Sequence, residues 1–365
     1  MVYNACRIAG INARRIINEP TAAVLANGID SKDDQKVMVY DLGGGTFDVS
    51  ILDMGYISDM GCGVVEALAT AGYNNLGCND FDEVIVMYLL DMLKKEFRID
   101  FSSDITVCQR LREAAEIAKA DLSVSTTTQI SVPYITVDDS GSKHLNCTLT
   151  RSKFDELTAH LVEKTIDLVS QALSDSELSA NSLSKVLLVG GASRIVAVHE
   201  AIKKKIGKAP FKGINSDECV AVGAAVQGGV LNGDIDGILL VDITPLSYGI
   251  GTANGIVELI CSNQTIPIKR STIFTTATDN QQSVEFDIMQ GVSGKPQSSY
   301  SKIGKMYFGI PPARQGIPQI EVAFDIDANG MLNVTALDLG IKEQRHISES
   351  EQRRLEEKNV KRRNS

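Results

Sequence analysis

Val37-Met-Val-Tyr-Asp-Leu-Gly-Gly-Gly-Thr-Phe-Asp-Val-Ser-Ile-Leu52 decides the fold. Two β-branched, apolar runs flank three glycines, so the stretch predicts strand, turn, strand, a hairpin over residues 37–52. Without side chains, Gly43, Gly44 and Gly45 let the backbone approach a ligand and aim N–H groups at an anion. Thr46 adds a hydroxyl, and Asp41 and Asp48 flank the turn, placed to bind a hydrated metal or steer a water. A lone Gly-Gly-Gly is more often a plain β-turn, so the reading needs a second feature. Two familiar nucleotide motifs are excluded. No Gly-x-x-x-x-Gly-Lys-Ser/Thr occurs, and a strand rather than a helix follows Gly45.

The second feature is Lys185–Val189, a short apolar run ending in Gly190-Gly191 with Ser193 and Arg194 behind it. A strand-to-helix turn with two glycines can seat an adenosine, because nothing blocks a flat ring. The pair points to the phosphate hairpin of the actin and sugar-kinase architecture.

Helical spacing marks residues 81–98, 109–123 and 153–173. In the second, Leu111, Ala115, Ala118 and Leu122 form an apolar stripe, while Arg112, Glu116, Lys119 and Ser123 share a polar one. A Glu116–Lys119 surface ion pair is the plain alternative there. Residues 129–137 are strand-like. The helix after Gly191 is expected to stop at Gly207, behind Lys203-Lys204-Lys205. Residues 217–231 alternate small and apolar residues, as a closely packed helix does. From Gly237 onward helical patterns vanish for about 100 residues and short β-like runs take over, with Asn329-Gly330 a hairpin signal. The expected organisation is 1–237, a partial nucleotide-binding domain; 238–242, a linker; 243–345, an all-β domain; and 346–365, a charged tail too polar to bury a face.

Net charge is −10, with 43% hydrophobic and 22% charged residues. That balance fits a globular chain and disfavours nucleic-acid or anionic-membrane binding. Seven cysteines are scattered without a CxxC pair, and four histidines form no motif. Neither a disulfide frame nor a zinc site is expected. The start, Met-Val-Tyr-Asn-Ala-Cys-Arg-Ile-Ala-Gly, reads as the middle of a helix and not as a signal peptide.

Asp41-Leu-Gly-Gly-Gly-Thr-Phe-Asp48 resembles the second signature of the seventy-kilodalton heat-shock chaperone family, and Leu187-Leu-Val-Gly-Gly-Ala-Ser-Arg-Ile195 resembles its third. Arg15-Ile-Ile-Asn-Glu-Pro-Thr-Ala-Ala23 and Asp217-Glu-Cys-Val-Ala-Val-Gly-Ala-Ala-Val-Gln-Gly-Gly229 are similar to family blocks, and Ile238-Leu-Leu-Val-Asp-Ile-Thr-Pro-Leu246 to its interdomain linker. All occur in family order. Within the family the chain looks most like the bacterial and mitochondrial branch; Lys143-His-Leu-Asn146, Gly309-Ile-Pro-Pro-Ala313 and Pro318-Gln-Ile-Glu-Val322 resemble mitochondrial members in particular, which implies a mitochondrial matrix location, with cytoplasm the alternative.

The resemblance implies an α/β actin-like ATPase domain, mainly its second lobe, followed by a β-sandwich that binds peptides. It implies ATP or ADP and Mg2+ as ligands. Gly43, Gly44, Gly45 and Thr46 would meet the phosphates. Glu19, Asp41 and Asp48 would hold waters around magnesium, and with Thr46 form the catalytic set. Glu116, Lys119, Ser123, Gly190, Gly191, Arg194 and Asp217 would line the adenosine pocket. Ala253, Phe274, Ala277 and Val284 match groove-forming positions; Phe286 does too, but reads better as core. Arg15, Leu239, Leu240 and Asp242 match interdomain and J-domain coupling positions. Unfolded polypeptides, a J-domain co-chaperone and a nucleotide-exchange factor are the implied partners. The family's first phosphate loop and catalytic lysine have no counterpart in these 365 residues. Segments 1–36 and 210–231 are expected to be the remnant of the other lobe's sheet. The implied function is therefore an ATP-dependent chaperone, with a non-hydrolysing binding module as the alternative. Cys78 and Asn79 depart from the family's usual glycine and acid, and Ala192 from a common polar residue. Asp338-Leu-Gly340 reads as an ordinary turn. A sugar kinase is disfavoured because that group has neither linker nor β domain.

Overall fold

The computed structural model describes residues 2–28, 34–59, 62–138, 141–211, 213–235, 238–252, 255–294, 296–340 and 344–348. It divides into two compact units, residues 19–239 and residues 1–18 with 240–365. In chain order the elements are α1 (Val2–Ile8), α2 (Glu19–Ala26), β1 (Gln35–Leu42), β2 (Phe47–Ile57), β3 (Cys62–Tyr73), α3 (Cys78–Phe97) and α4 (Ile105–Val124). Then come β4 (Thr127–Asp138), β5 (Gly141–Thr150), α5 (Arg151–Asp175), β6 (Lys185–Val189), α6 (Val196–Ile206), α7 (Cys219–Asn232) and β7 (Ile238–Val241). The rest is strand: β8 (Ser247–Thr252), β9 (Gly255–Ile260), β10 (Ile268–Phe274), β11 (Ser283–Gly291), β12 (Ser301–Gly309), β13 (Ile320–Ile326), β14 (Leu332–Asp338) and β15 (Gln344–Ser348).

In the first unit β6, β1, β2 and β3 lie side by side in that order in one sheet. The expected hairpin is present: β1 and β2 pair antiparallel, with Asp41 opposite Asp48. On the other side β1 pairs parallel with β6, Asp41 opposite Val189, so both glycine turns leave the same end of the sheet. Val37–Tyr40 are buried without alternation because both faces of β1 are covered. Met38, Tyr40, Leu42, Phe47, Val49 and Ile51 join a core with the apolar faces of α3, α4, α5 and α6. The predicted stripe of α4 is buried throughout, and Asp104 caps its start by accepting from the Thr106 and Val107 amides. α6 ends at Gly207, φ +78°, as its sequence predicts. The sequence reading missed β3 and β5, long strands whose alternation is diluted by alanine, glycine and polar residues.

Among the described residues, segments 1–36 and 210–231 carry α1, α2 and α7, with Gln35 and Lys36 opening β1, and are not the sheet remnant expected. The closely packed helix expected over 217–231 is present as α7: it packs on α2, and a Cβ on Gly223 would sit 1.8 Å from the Ala22 carbonyl oxygen. Small residues along α7 allow that approach.

In the second unit, β10-β13-β14-β15 and β12-β11-β8-β9 form two antiparallel four-stranded sheets. Both feed one core that includes Ile250, Phe286, Phe308, Phe324 and Val334. The β13–β14 turn at Asn329-Gly330 has Gly330 at φ +73°, with the Asp327 carboxylate accepting from the Asn329 and Met331 amides. At Asp338 the carboxylate accepts from the Gly340 amide at 2.8 Å, closing a local turn. The polar tail begins later than residue 346: Gln344–Ser348 pair with β14. Edge pairing uses backbone groups, which a hydropathy pattern does not register.

Gly223→Ala tests the α2–α7 contact. Alanine gains ~1 kcal/mol of helix propensity. Overpacking against rigid backbone costs ~1–3 kcal/mol and outweighs it. The expected result is a Tm lower by about 2–6 °C in a thermal melt.

Candidate functional site

The glycine turn is held from behind. Gly43 N–H donates to the Thr46 carbonyl at 3.0 Å, closing the turn. The first amides of α3, Cys78 and Asn79, donate to the Gly43 and Gly44 carbonyls at 2.8 and 2.9 Å. These are the amides a helix start leaves without intrahelical partners. A trans peptide points C=O and the next N–H in opposite directions. Anchoring those two carbonyls on α3 therefore turns the Gly44 and Gly45 amides away from it, and neither donates elsewhere among the described residues. Gly44, Gly45 and Thr46 are exposed. The N-cap Gly77 makes the approach possible, since a Cβ there would lie 2.5 Å from the Gly44–Gly45 backbone. Its own amide is satisfied by Asp80 at 2.7 Å.

Charge concentrates beside the turn. Burial, with Glu19 and Asp48 nearby, raises Asp41 to about 7. Burial and Glu19 raise Asp48 to about 6. The Asp48 carboxylate fills the space that Gly72 leaves open on β3, where a Cβ would be 2.1 Å away. Gly190, φ +83°, presses on the Leu42 carbonyl and stands beside the Asp41 carboxylate. The two glycine turns thus adjoin. Acids whose like charges are this poorly compensated suit a hydrated dication, with backbone amides left for phosphate.

Behind the second glycine turn, Arg194 pairs with Asp217 and reaches Asn215. Gly191 is exposed next to them, as is Glu116 on α4. Lys119 does not make the surface pair with Glu116. It donates to Asp82 at 2.6 Å, both side chains nearly buried, and to the Cys78 carbonyl at 3.3 Å. Ser123 is partly buried, its hydroxyl donating to the Lys119 carbonyl. Asp82, Gly77 and Gly72 were not singled out from sequence. Asp82 had a visible signal: it is the one acid on the buried face of α3, among Phe81, Ile85, Val86, Leu89 and Leu93.

In the second unit, Asp242 and Leu240 are buried; Leu239, the last residue of the first unit, is exposed. Asp242 lines a cavity of about 140 Å³ with Ile16, Asn18 and Asn329. The Ile16 amide donates to Asn329 Oδ1 at 3.2 Å, and the adjacent Arg15 Nε is buried without a hydrogen-bond partner. Phe274 packs on Phe286, centroids 5.4 Å apart. Val284 is buried in the shared core with Phe286, whereas Ala277 is exposed. Ala253 lies outside the described residues.

The family model described as Hsp70 protein matches residues 1–364. The chain belongs to the Hsp70 family. It is a chaperone of the Hsp70 type, and the family carries the actin-like ATPase fold. Hsp70 proteins generally bind ATP or ADP with Mg2+, unfolded polypeptides and co-chaperones.

The acids predict an unusual pH response. Asp41 and Asp48 ionise near 4 when unfolded and at about 7 and about 6 when folded. The folded state holds protons more tightly, so stability is lost as pH rises from about 4 to 7. Without magnesium, Asp41→Asn should stabilise the fold by roughly 2–4 kcal/mol at pH 8 and scarcely at pH 4. Urea unfolding at both pH values measures it; an equal effect at both would refute the assignment.

Proposed function

We propose that this Hsp70-family chain binds ADP and ATP across the two glycine turns and extended apolar polypeptide on its β unit. The observation that carries the nucleotide reading is the outward pair of Gly44 and Gly45 amides beside the Asp41–Asp48–Glu19 carboxylates. Phosphate oxygens would take the amides and the Thr46 hydroxyl. Magnesium, held through water by Asp41, Asp48 and Glu19, would neutralise the remaining charge; the raised Asp41 and Asp48, each with Glu19 nearby, fit such an ion. Gly191, Arg194, Asp217, Glu116 and Ser123 would face the nucleoside. Asp41 and Asp48, flanking the turn, would also be placed to steer an attacking water.

Two antiparallel sheets over one core support reading the second unit as the family's peptide-binding sandwich, with Phe274 and Ala277 toward the groove. Arg15 and Asp242 are proposed to couple to J-domain partners.

Calorimetry with ADP and magnesium on the full chain tests the nucleotide reading. Wild type should bind, and Gly190→Val should bind at least tenfold more weakly, because valine opposes the positive φ and meets the Leu42 carbonyl. A folded wild type that binds no nucleotide would refute it. Phosphate release lost in Asp48→Asn separates turnover from binding alone. For the β unit, Ala277→Trp should weaken a labelled Leu-rich peptide at least threefold in anisotropy, with the unfolding midpoint unchanged.

A further inference from the structure

We propose that Lys119 and Asp82 are positioning residues that lock the glycine turn in its anion-accepting form through the first turn of α3. The proposal rests on the nucleotide reading above and adds to it how the turn is held.

The chain of contacts is short. Lys119 on α4 donates to Asp82 Oδ2 at 2.6 Å and to the Cys78 carbonyl at 3.3 Å. The amide of that same Cys78 donates to the Gly43 carbonyl at 2.8 Å, and the next amide, Asn79, to the Gly44 carbonyl at 2.9 Å. One residue, Cys78, is thus gripped at its carbonyl by α4 while its amide grips the turn. Releasing Lys119 frees the first turn of α3 to move, and the glycine peptides can then rotate. Once rotated, a peptide presents C=O where an anion needs N–H.

The Lys119–Asp82 side chains are only 11% and 9% exposed, so neither charge can exchange its partner for water cheaply. Asp82 Oδ1 is buried without a hydrogen-bond partner. The site therefore accepts an incompletely satisfied carboxylate to keep this pair. A second α3–α4 ion pair among the described residues, Glu83–Arg112, is half-exposed. A buried pair at such a position specifies one arrangement of two helices more than it adds stability.

The test uses the full chain with Asp82→Asn, Cys78→Pro and the double variant. Proline suits the first helical position and the extended Gly77 before it, and replaces the amide that grips Gly43 with a ring carbon facing that carbonyl. Calorimetry with magnesium compares ADP with adenosine, which lacks phosphates. Each single variant should lose about tenfold for ADP and less than threefold for adenosine, and the double should be no worse than Cys78→Pro alone. Hydrogen exchange should show the Asn79 amide at least tenfold faster in Asp82→Asn, with Leu89 and Leu93 unchanged. Additive losses, equal losses for ADP and adenosine, or an unchanged Asn79 amide would overturn the proposal. If wild type binds no nucleotide, the nucleotide reading fails, and the exchange result alone decides whether the tie exists. Should Asp82→Asn not fold, Asp82→Glu keeps the charge and displaces it by one methylene; it should show the same pattern at about threefold.

Discussion

Everything at the candidate site depends on two hydrogen bonds that run from the start of a helix into a loop. Amides at a helix N-terminus are usually satisfied by a capping side chain or by water. Here Cys78 and Asn79 spend theirs on the carbonyls of Gly43 and Gly44. The loop is thereby fixed with its next two amides outward, and the positive end of α3 stands behind them. The arrangement needs glycine on the helix side: any Cβ at Gly77 would meet the loop backbone, whereas a Cβ at Gly44 or Gly45 would stand in open space.

The same geometry carries a cost. Asp41 and Asp48 face each other across the hairpin with Glu19 close by, and burial raises both. The strands cannot relieve this by shifting. β1 is covered on both faces and paired on both edges, so a slip of register would turn its buried residues the wrong way. A rigid sheet thus holds acids that would otherwise move apart. Stability given up at a site for the sake of a ligand is common in functional proteins.

Much of this was legible in the sequence, because the informative features are local. The hairpin follows from two apolar, β-branched runs around three glycines, the buried stripe of α4 from spacing, and the stop of α6 from Gly207. What stayed hidden is what packing between distant elements decides. Gly72 and Gly77 are isolated glycines in sequence, and their use appears only when Asp48 and Gly44 come up against them. Lys119 was readable as a ligand contact or a surface charge, and its partner lies 37 residues earlier on another helix. β15 escaped notice because its pairing draws on the backbone of β14 and not on an apolar pattern.

The two readings of Lys119 need not compete. A lysine tied to Asp82 and to the Cys78 carbonyl fixes where α4 lies against the start of α3. Glu116 and Ser123 ride on the same helix face, so their separation from the glycine turn is set by that one tie. Arg194 and Asp217 are fixed differently. They follow Gly190, which is pressed on the Leu42 carbonyl at the base of the same turn. Both walls of the proposed nucleoside site are therefore referenced to a single loop, one through an ion pair and one through direct backbone contact. Under that proposal the site would measure the span between a flat ring and its phosphates, because neither wall could shift without disturbing the amides that would hold the anion.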